Sequence, residues 1–492
     1  MTKITIENKG LEAKNFVGGE WVKGSAGHVD ITNPSTGESC GMVHLSLTQD
    51  VDTAVAAAKK NQKEWAGTSL KSRTQILFKF REILLRDQEN ISQIVALENG
   101  KTFNEARAGL MKGIEVLEYA LSLQNTDVGG RMEVSRGVFC EYRREALGVV
   151  ASITPFNFPA MVPMWTIPIA IALGNAYVWK PSEKTPLTSL VIANAFHEAG
   201  LPAGILTVVQ GASEAVEALI DHPDVKAIGF VGSTKIAEIV YKRASSHGKR
   251  ALCLGGAKNH IILLPDADLE VSGMGISDSF TGCAGQRCMA ASVLLAVGDV
   301  DKHIEKIKER AVSQKLGDTL GAIITREQVE FLNGAIEQAV QDGATLLLDG
   351  RNPEIPAGMS GGHWLGPTIL DNVKAGTQAA TFELFGPILA IVRCKNISEA
   401  IEIQNSSPYG NAASVFTSSG PMAEHVASRA SCGMFGVNIG VPVPREPFSF
   451  GGVNASKFGH GDITGEHSLN FWSDMKKITT KWEAQTDANW MS

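Results

Sequence analysis

Gly148-Val149-Val150-Ala151-Ser152-Ile153-Thr154-Pro155-Phe156-Asn157-Phe158-Pro159 opens the stretch that decides the fold, and Ala176-Tyr177-Val178-Trp179-Lys180-Pro181-Ser182-Glu183 is its second beat. Each is a short run rich in β-branched and aromatic residues, closed by proline. The near-apolar segment 160–174 between them has the length of a buried helix. The beat continues as a helix over 186–200, a strand over 205–210, a helix over 213–221, a strand over 227–231 and a helix over 233–246. Strand, crossover helix and strand in alternation make βαβ units around a parallel sheet, the outline of a doubly wound nucleotide-binding domain.

Working outward, segments 48–65 and 70–100 carry the three-and-four apolar spacing of amphipathic helices that pack on that sheet. A second strand-and-helix rhythm follows residue 261, through 304–316, 325–342, 369–372 and 390–392, and predicts a separate α/β catalytic domain. Segment 131–144 reads as a hairpin and 474–482 as an edge strand. Exposed strand edges invite pairing between subunits, so these two are assigned to oligomerisation. The resulting division is a Rossmann-like dinucleotide domain over 1–124 and 147–254, a catalytic domain over 255–455, and oligomerisation strands over 125–146 and 470–492.

A chain of 492 residues is too long for one ordinary core, in agreement with that division. Its net charge of -7 and scattered lysines and arginines disfavour a nucleic-acid partner. No charge-free apolar run is long enough to span a bilayer, and the first ten residues lack a signal or transit pattern, so a cytoplasmic enzyme is expected. The seven cysteines, at 40, 140, 253, 283, 288, 394 and 432, have neither disulfide-scaffold nor zinc spacing, and no metal is expected.

Candidate chemistry concentrates in a few places. Thr281-Gly282-Cys283-Ala284-Gly285-Gln286-Arg287-Cys288 sets a thiol after a glycine turn and beside a cation, which would favour the nucleophilic thiolate; an inert core cysteine is the other reading. Asn157, between two prolines at a strand-to-helix junction, can donate to a developing oxyanion or cap the helix. Lys180 and Glu183 end a strand where doubly wound sheets receive nucleotides, and Ser233 opens a helix whose amides suit a pyrophosphate.

In this order and spacing, joined by Gly255-Gly256, Glu383-Leu384-Phe385-Gly386-Pro387 and Phe448-Ser449-Phe450-Gly451-Gly452, these segments resemble the aldehyde dehydrogenase superfamily over nearly the whole chain. The resemblance implies Cys288 as nucleophile, with Asn157 and the Cys288 amide as oxyanion hole. It also implies that Phe156, Lys180, Glu183 and Ser233 bind NAD, and that Glu383 and Phe385 place the nicotinamide ribose and ring. Glu183, facing the adenosine 2′ position, argues for NAD over NADP. A homotetramer, a dimer of dimers, is implied as well.

One position departs from the superfamily. Cys253 stands where most hydrolytic members carry a water-activating glutamate, and a thiol is a poor base at neutral pH. Gly255-Gly256-Ala257-Lys258-Asn259-His260, Arg287-Cys288-Met289-Ala290, His247-Gly248-Lys249-Arg250 and Val441-Pro442-Val443-Pro444 are similar to methylmalonate-semialdehyde dehydrogenases, which pass the acyl group to coenzyme A as co-substrate. The implied substrates are malonate semialdehyde and its methyl derivative, with Arg287 clamping the carboxylate and Lys112, or Arg107 one helical turn earlier, assisting. A hydrolytic dehydrogenase for another small acidic aldehyde is the nearest alternative, and a scaffold that has lost catalysis is a more distant one. Cys253 is read either as core packing or as a redox partner of Cys288.

Overall fold

The computed structural model describes residues 4–6, 10–127 and 129–482. Its central sheet is the one the opening segments predict. Val149–Ile153, Ala176–Lys180, Leu206–Val208, Val225–Val231 and Arg250–Leu254 are mutually parallel. Along the sheet they run Arg250–Leu254, Val225–Val231, Val149–Ile153, Ala176–Lys180, Leu206–Val208. The chain therefore starts in the middle, builds one flank and then returns to build the other. Every residue of Val149–Ile153 and of Ala176–Lys180 is buried, which is why these strands read as continuous runs and not as alternating ones. The helix Met161–Ala172, buried along almost its whole length and interrupted by Pro168, crosses between them.

Short strands extend this sheet to eight. Asn15–Val17 and Glu20–Val22 join one edge, and Lys457–Phe458 pairs antiparallel with Arg250–Leu254 at the other. The last pair brings the chain back from beyond residue 455 onto the nucleotide-type sheet. A second sheet of seven strands is parallel apart from its edge strand Thr345–Leu348. A third joins Gly130–Ser135, Val138–Ala146 and Ser473–Lys481, so the predicted hairpin and edge strand are neighbours in one sheet. The part of the 470–492 segment beyond residue 482 lies outside the described residues.

The helix expected over 70–100 is two helices, Leu70–Arg86 and Gln88–Asn99. Asp87 leaves helical geometry at φ -99, ψ 11, while its N–H still reaches the Ile83 carbonyl. No helix among the described residues is long and apolar enough to cross a membrane.

Candidate active site

In an open parallel sheet, ligands settle where strand order reverses, because the loops after the two diverging strands part there and leave a crevice. The reversal here lies between Val149–Ile153 and Val225–Val231, and a cavity of about 760 Å³ opens at their carboxyl ends. From the first sheet it is lined by the 155–158 loop, by Gly232, Ser233 and Thr234, and by Gly255 and Gly256. The second α/β unit closes it with Cys288, Gln328, Glu383, Phe385 and Tyr409. Phe156, Asn157, Ser233, Cys288, Glu383 and Phe385 are thus brought together from segments far apart in sequence.

Cys288 follows a backbone that few side chains tolerate. Cys283, Ala284 and Gly285 have φ of 53°, 51° and 68°, and the Cys283 N–H is held by Glu105 Oε1 at 2.5 Å. The Cys288 carbonyl accepts from two asparagines, Asn259 Nδ2 at 2.7 Å and Asn411 Nδ2 at 2.9 Å. The Cys288 carbonyl is therefore held by two side-chain donors. A Cβ on Gly285 would lie 2.1 Å from the Gly386 carbonyl oxygen, so the cysteine loop and the Glu383 loop pack backbone to backbone. Gly285→Ala is accordingly expected to lose several kcal/mol of stability, of order 3, since neither the positive φ nor the contact can be relieved by a rotamer change. Urea denaturation checks this, and an unchanged midpoint would refute the close packing.

Sequence adjacency suggested that Arg287 favours the Cys288 thiolate, but the structure corrects this. Arg287 Nη2 turns away to the carbonyls of Asp278 and Ser279, the latter at 3.0 Å, and lowers the thiol pKa only as a minor influence. Burial first, and Glu383 second, push the Cys288 thiol up to about 12, so it rests protonated.

Asn157 is not a helix cap, because the following helix starts with Ala160 at its N-cap. One amide N–H of Asn157 goes to the Gln286 carbonyl at 3.1 Å, leaving the second for another acceptor. The backbone carbonyl of Asn157 is gripped by Lys101 Nζ at 2.6 Å, and the neighbouring Phe156 carbonyl by Asn99 Nδ2 at 2.9 Å. Phe385, at φ 59°, sets its ring edge-on to Phe156 with centroids 5.9 Å apart.

Glu383 Oε1 accepts the Ala257 N–H at 2.9 Å, and a Cβ on Gly256 would lie 2.2 Å from Oε2, so glycine is what lets the carboxylate in. Burial pushes this carboxyl up to about 7. Ser233 makes no side-chain cap bond on the helix Thr234–Ser246, whose first turn faces the cavity. Lys180 and Glu183 pair at 3.2 Å and do not line the cavity. Burial pushes Lys180 down against the pull of Glu183; at Glu183 burial, the largest influence, is overcome only by the Lys180 cation, a backbone hydrogen bond and Lys184 acting together, and the carboxyl is lowered.

The remaining sequence candidates stand apart. Arg287 does not line the cavity, and its Nε is buried with no hydrogen-bond partner. Lys112 is held by Glu115 at 2.9 Å and Glu446 at 3.9 Å. Arg107 is exposed and donates to Gln88 at 3.4 Å. Cys253 is fully buried within its strand, off the cavity lining. No group of histidine, cysteine, aspartate and glutamate among the described residues could hold a metal ion.

The model of the aldehyde dehydrogenase family matches residues 21–478. The chain belongs to that family. Among similar members, malonate-semialdehyde dehydrogenase 2 of Geobacillus thermodenitrificans is 41% identical over 477 residues, 95% of this chain and 98% of the relative. The methylmalonate-semialdehyde dehydrogenase structure of Oceanimonas doudoroffii superposes with a TM-score of 0.94 at 37% identity, covering 96% of this chain and 99% of the other. A Sinorhizobium meliloti structure complexed with NAD gives 0.95 at 37%, covering 98% and 100%.

In this aldehyde dehydrogenase Lys101, Asn411 and Gln286 carry positioning roles that no sequence motif marks. Each is a single polar residue acting through the backbone of another loop, with no local pattern to mark it. Asn259 and Lys258 lie in a segment noted for its resemblance, and that resemblance supplied no task for either.

Proposed function

We propose that the enzyme oxidises malonate semialdehyde or its methyl derivative with NAD through a thioester on Cys288, releases carbon dioxide and passes the acyl group to coenzyme A. Acetyl-CoA or propionyl-CoA results. The observation that carries this reading is a cavity that gathers Cys288, Asn157 and Glu383 while the usual water-activating position is a buried cysteine outside it. A thioester without a water-activating carboxylate persists until a thiol displaces it. The names of the Geobacillus and Oceanimonas relatives support the substrate class.

The residues present fit NAD. The uncapped first turn of Thr234–Ser246 offers amides to a pyrophosphate, and the Lys180–Glu183 pair offers a carboxylate to ribose hydroxyls. Glu383 and Phe385 hold the nicotinamide end and Phe156 packs on Phe385. When bound, NAD supplies the hydride acceptor. The chain supplies the sulfur that bonds to the aldehyde carbon, and the Asn157 amide with the Cys288 N–H to receive charge on the oxygen. Once the carbon is a thioester, a β-carboxylate can leave as carbon dioxide because the thioester carbonyl takes up the electrons. Arg287 is assigned as the clamp for that carboxylate on its unpartnered Nε, a role that requires its guanidinium to turn from the Asp278 and Ser279 carbonyls toward the cavity. Lys112, already matched by two carboxylates, and Arg107, exposed on Gln88, fit the role less well.

We assign the dinucleotide domain to 1–124 and 147–254, the catalytic domain to 255–455 and subunit pairing in a homotetramer to the third sheet, where Ser473–Lys481 is an edge strand and Met132, at 66%, is largely exposed. Mixing enzyme, NAD and semialdehyde without a thiol is expected to give about one equivalent of NADH per site and then near-arrest, with coenzyme A restoring turnover. Steady release of free acid without coenzyme A would reject this reading in favour of the hydrolytic one.

A further inference from the structure

Acyl transfer to a thiol poses a proton problem that the usual position cannot solve. The incoming thiol must lose a proton to attack, and Cys288 must leave from an environment that opposes its thiolate. Cys253 does not reach the cavity, and burial pushes its own thiol far up. The carboxylates that line the cavity are Glu238 and Glu383. Of these, Glu383 is the one whose charge is felt by Cys288.

Next in the chain to Ala257, whose N–H Glu383 accepts, stands a group that the chemistry so far leaves unused. Lys258 is 3% exposed, and its Nζ has no hydrogen-bond partner. A buried ammonium without hydrogen bonds is costly, and such a group persists when a nearby charge requires it. Burial pushes Lys258 down to about 7, and the charge that opposes this is Glu383, bonded to the N–H of the adjacent residue Ala257, so the ammonium and the carboxylate hold each other charged in the neutral range. Lys258 also disfavours protonation of His260, a ring that burial already holds neutral, so His260 does not compete for the carboxylate. Lys258, Cys288 and Tyr409 each feel Glu383, the last a phenol that burial and then Glu383 keep protonated.

We propose that Glu383 carries the proton of the acyl-transfer half-reaction, and that Lys258 is the positioning residue that sets its charge. The proposal rests on the reading of thiol-dependent transfer given above. The carboxylate takes the proton of the incoming thiol, whose sulfur bonds to the thioester carbon. The tetrahedral adduct then expels Cys288 as its carbon–sulfur bond breaks, and the Glu383 carboxyl returns the same proton to Cys288 Sγ. No oxidant and no net proton are consumed. The carboxyl that binds ribose during hydride transfer becomes available when the reduced dinucleotide departs. Burial raises Glu383 to about 7, in the range where one group both accepts and donates at neutral pH.

The test separates the half-reactions. In Lys258→Met the NADH burst is expected to stay within about threefold of the parent enzyme, while acyl transfer at pH 7 falls roughly tenfold or more and recovers toward pH 9, because loss of a neighbouring cation raises a carboxyl pKa. An unmoved pH limb, or equal losses in both half-reactions at all pH values, would overturn the proposal. A measurement on the unaltered enzyme guards against misfolding of the variant. Transfer is followed with small thiols of different acidity. If Glu383 is the base, the rising limb stays at one pH for all of them; a limb that tracks each thiol's own pKa overturns the inference and leaves thiol-dependent turnover standing. If no thiol speeds turnover, it is the proposed function that fails.

Discussion

Cys288→Ala is expected to abolish aldehyde oxidation, with kcat falling by on the order of 10⁴-fold or more, because among the described residues no other thiol lines the cavity to create the hydride-donating adduct. Dinucleotide affinity, read by fluorescence quenching, should change little, since no contact proposed for NAD involves that sulfur. The informative control is Cys283→Ala, five residues earlier. Cys283 is buried off the cavity lining, and its contribution is a backbone N–H to Glu105, which alanine also provides. The two variants should therefore differ by several orders of magnitude. The protonated resting state of Cys288 adds a pH signature: a thiol raised to about 12 is neutral at pH 7, so alkylation of the free enzyme by iodoacetamide should keep accelerating well above pH 9. Retained oxidation in Cys288→Ala would remove the basis of the whole mechanism.

Why the site was readable, and where it was not, follows from the range of each signal. The strands Val149–Ile153 and Ala176–Lys180 are buried on both faces, so their unbroken apolar runs stand out, and the prolines after them mark where the loops begin. The reversal of strand order then places Asn157 and Ser233 on one crevice, as the doubly wound reading requires. The break at Asp87 left no mark, because Arg86-Asp87-Gln88 contains neither glycine nor proline and the apolar spacing continues across it. Lys457–Phe458 is too short for any periodicity, yet it completes an edge of the first sheet.

Side-chain direction is the information a sequence carries least. Arg287 is bonded to Cys288 in the chain, but its guanidinium folds back onto the end of the helix Leu269–Thr281, where Gly282 leaves room for it. Conversely, Lys101 and Asn411 lie far from Cys288 in sequence and still fix main-chain carbonyls of the site, that of Asn157 and that of Cys288 itself. The polar residues around the site act mainly by holding main-chain groups of other loops, and such contacts depend on tertiary approach alone.

Asn157→Ala carries the second large expectation, a loss of about 10²–10³-fold in kcat with little change in substrate or dinucleotide affinity. The size of the effect follows from where the amide is anchored. One N–H is committed to the Gln286 carbonyl, and the backbone of the loop is pinned by Asn99 and Lys101, so the second N–H is held ready and need not be recruited during the reaction. A donor fixed in advance assists the charged tetrahedral state more than the neutral aldehyde, and its removal therefore appears in kcat. Gln286 should keep its place in the variant, since its own amide bonds to the Ala322 carbonyl and the Ile324 N–H at 3.0 and 2.9 Å do not involve Asn157. Asn157→Asp provides the sharper contrast: it preserves shape but offers a carboxylate where negative charge develops, and it should be slower than the alanine variant. If instead both variants raised KM while kcat held, Asn157 would be a ground-state binding residue and the oxyanion role would pass to the Cys288 N–H alone.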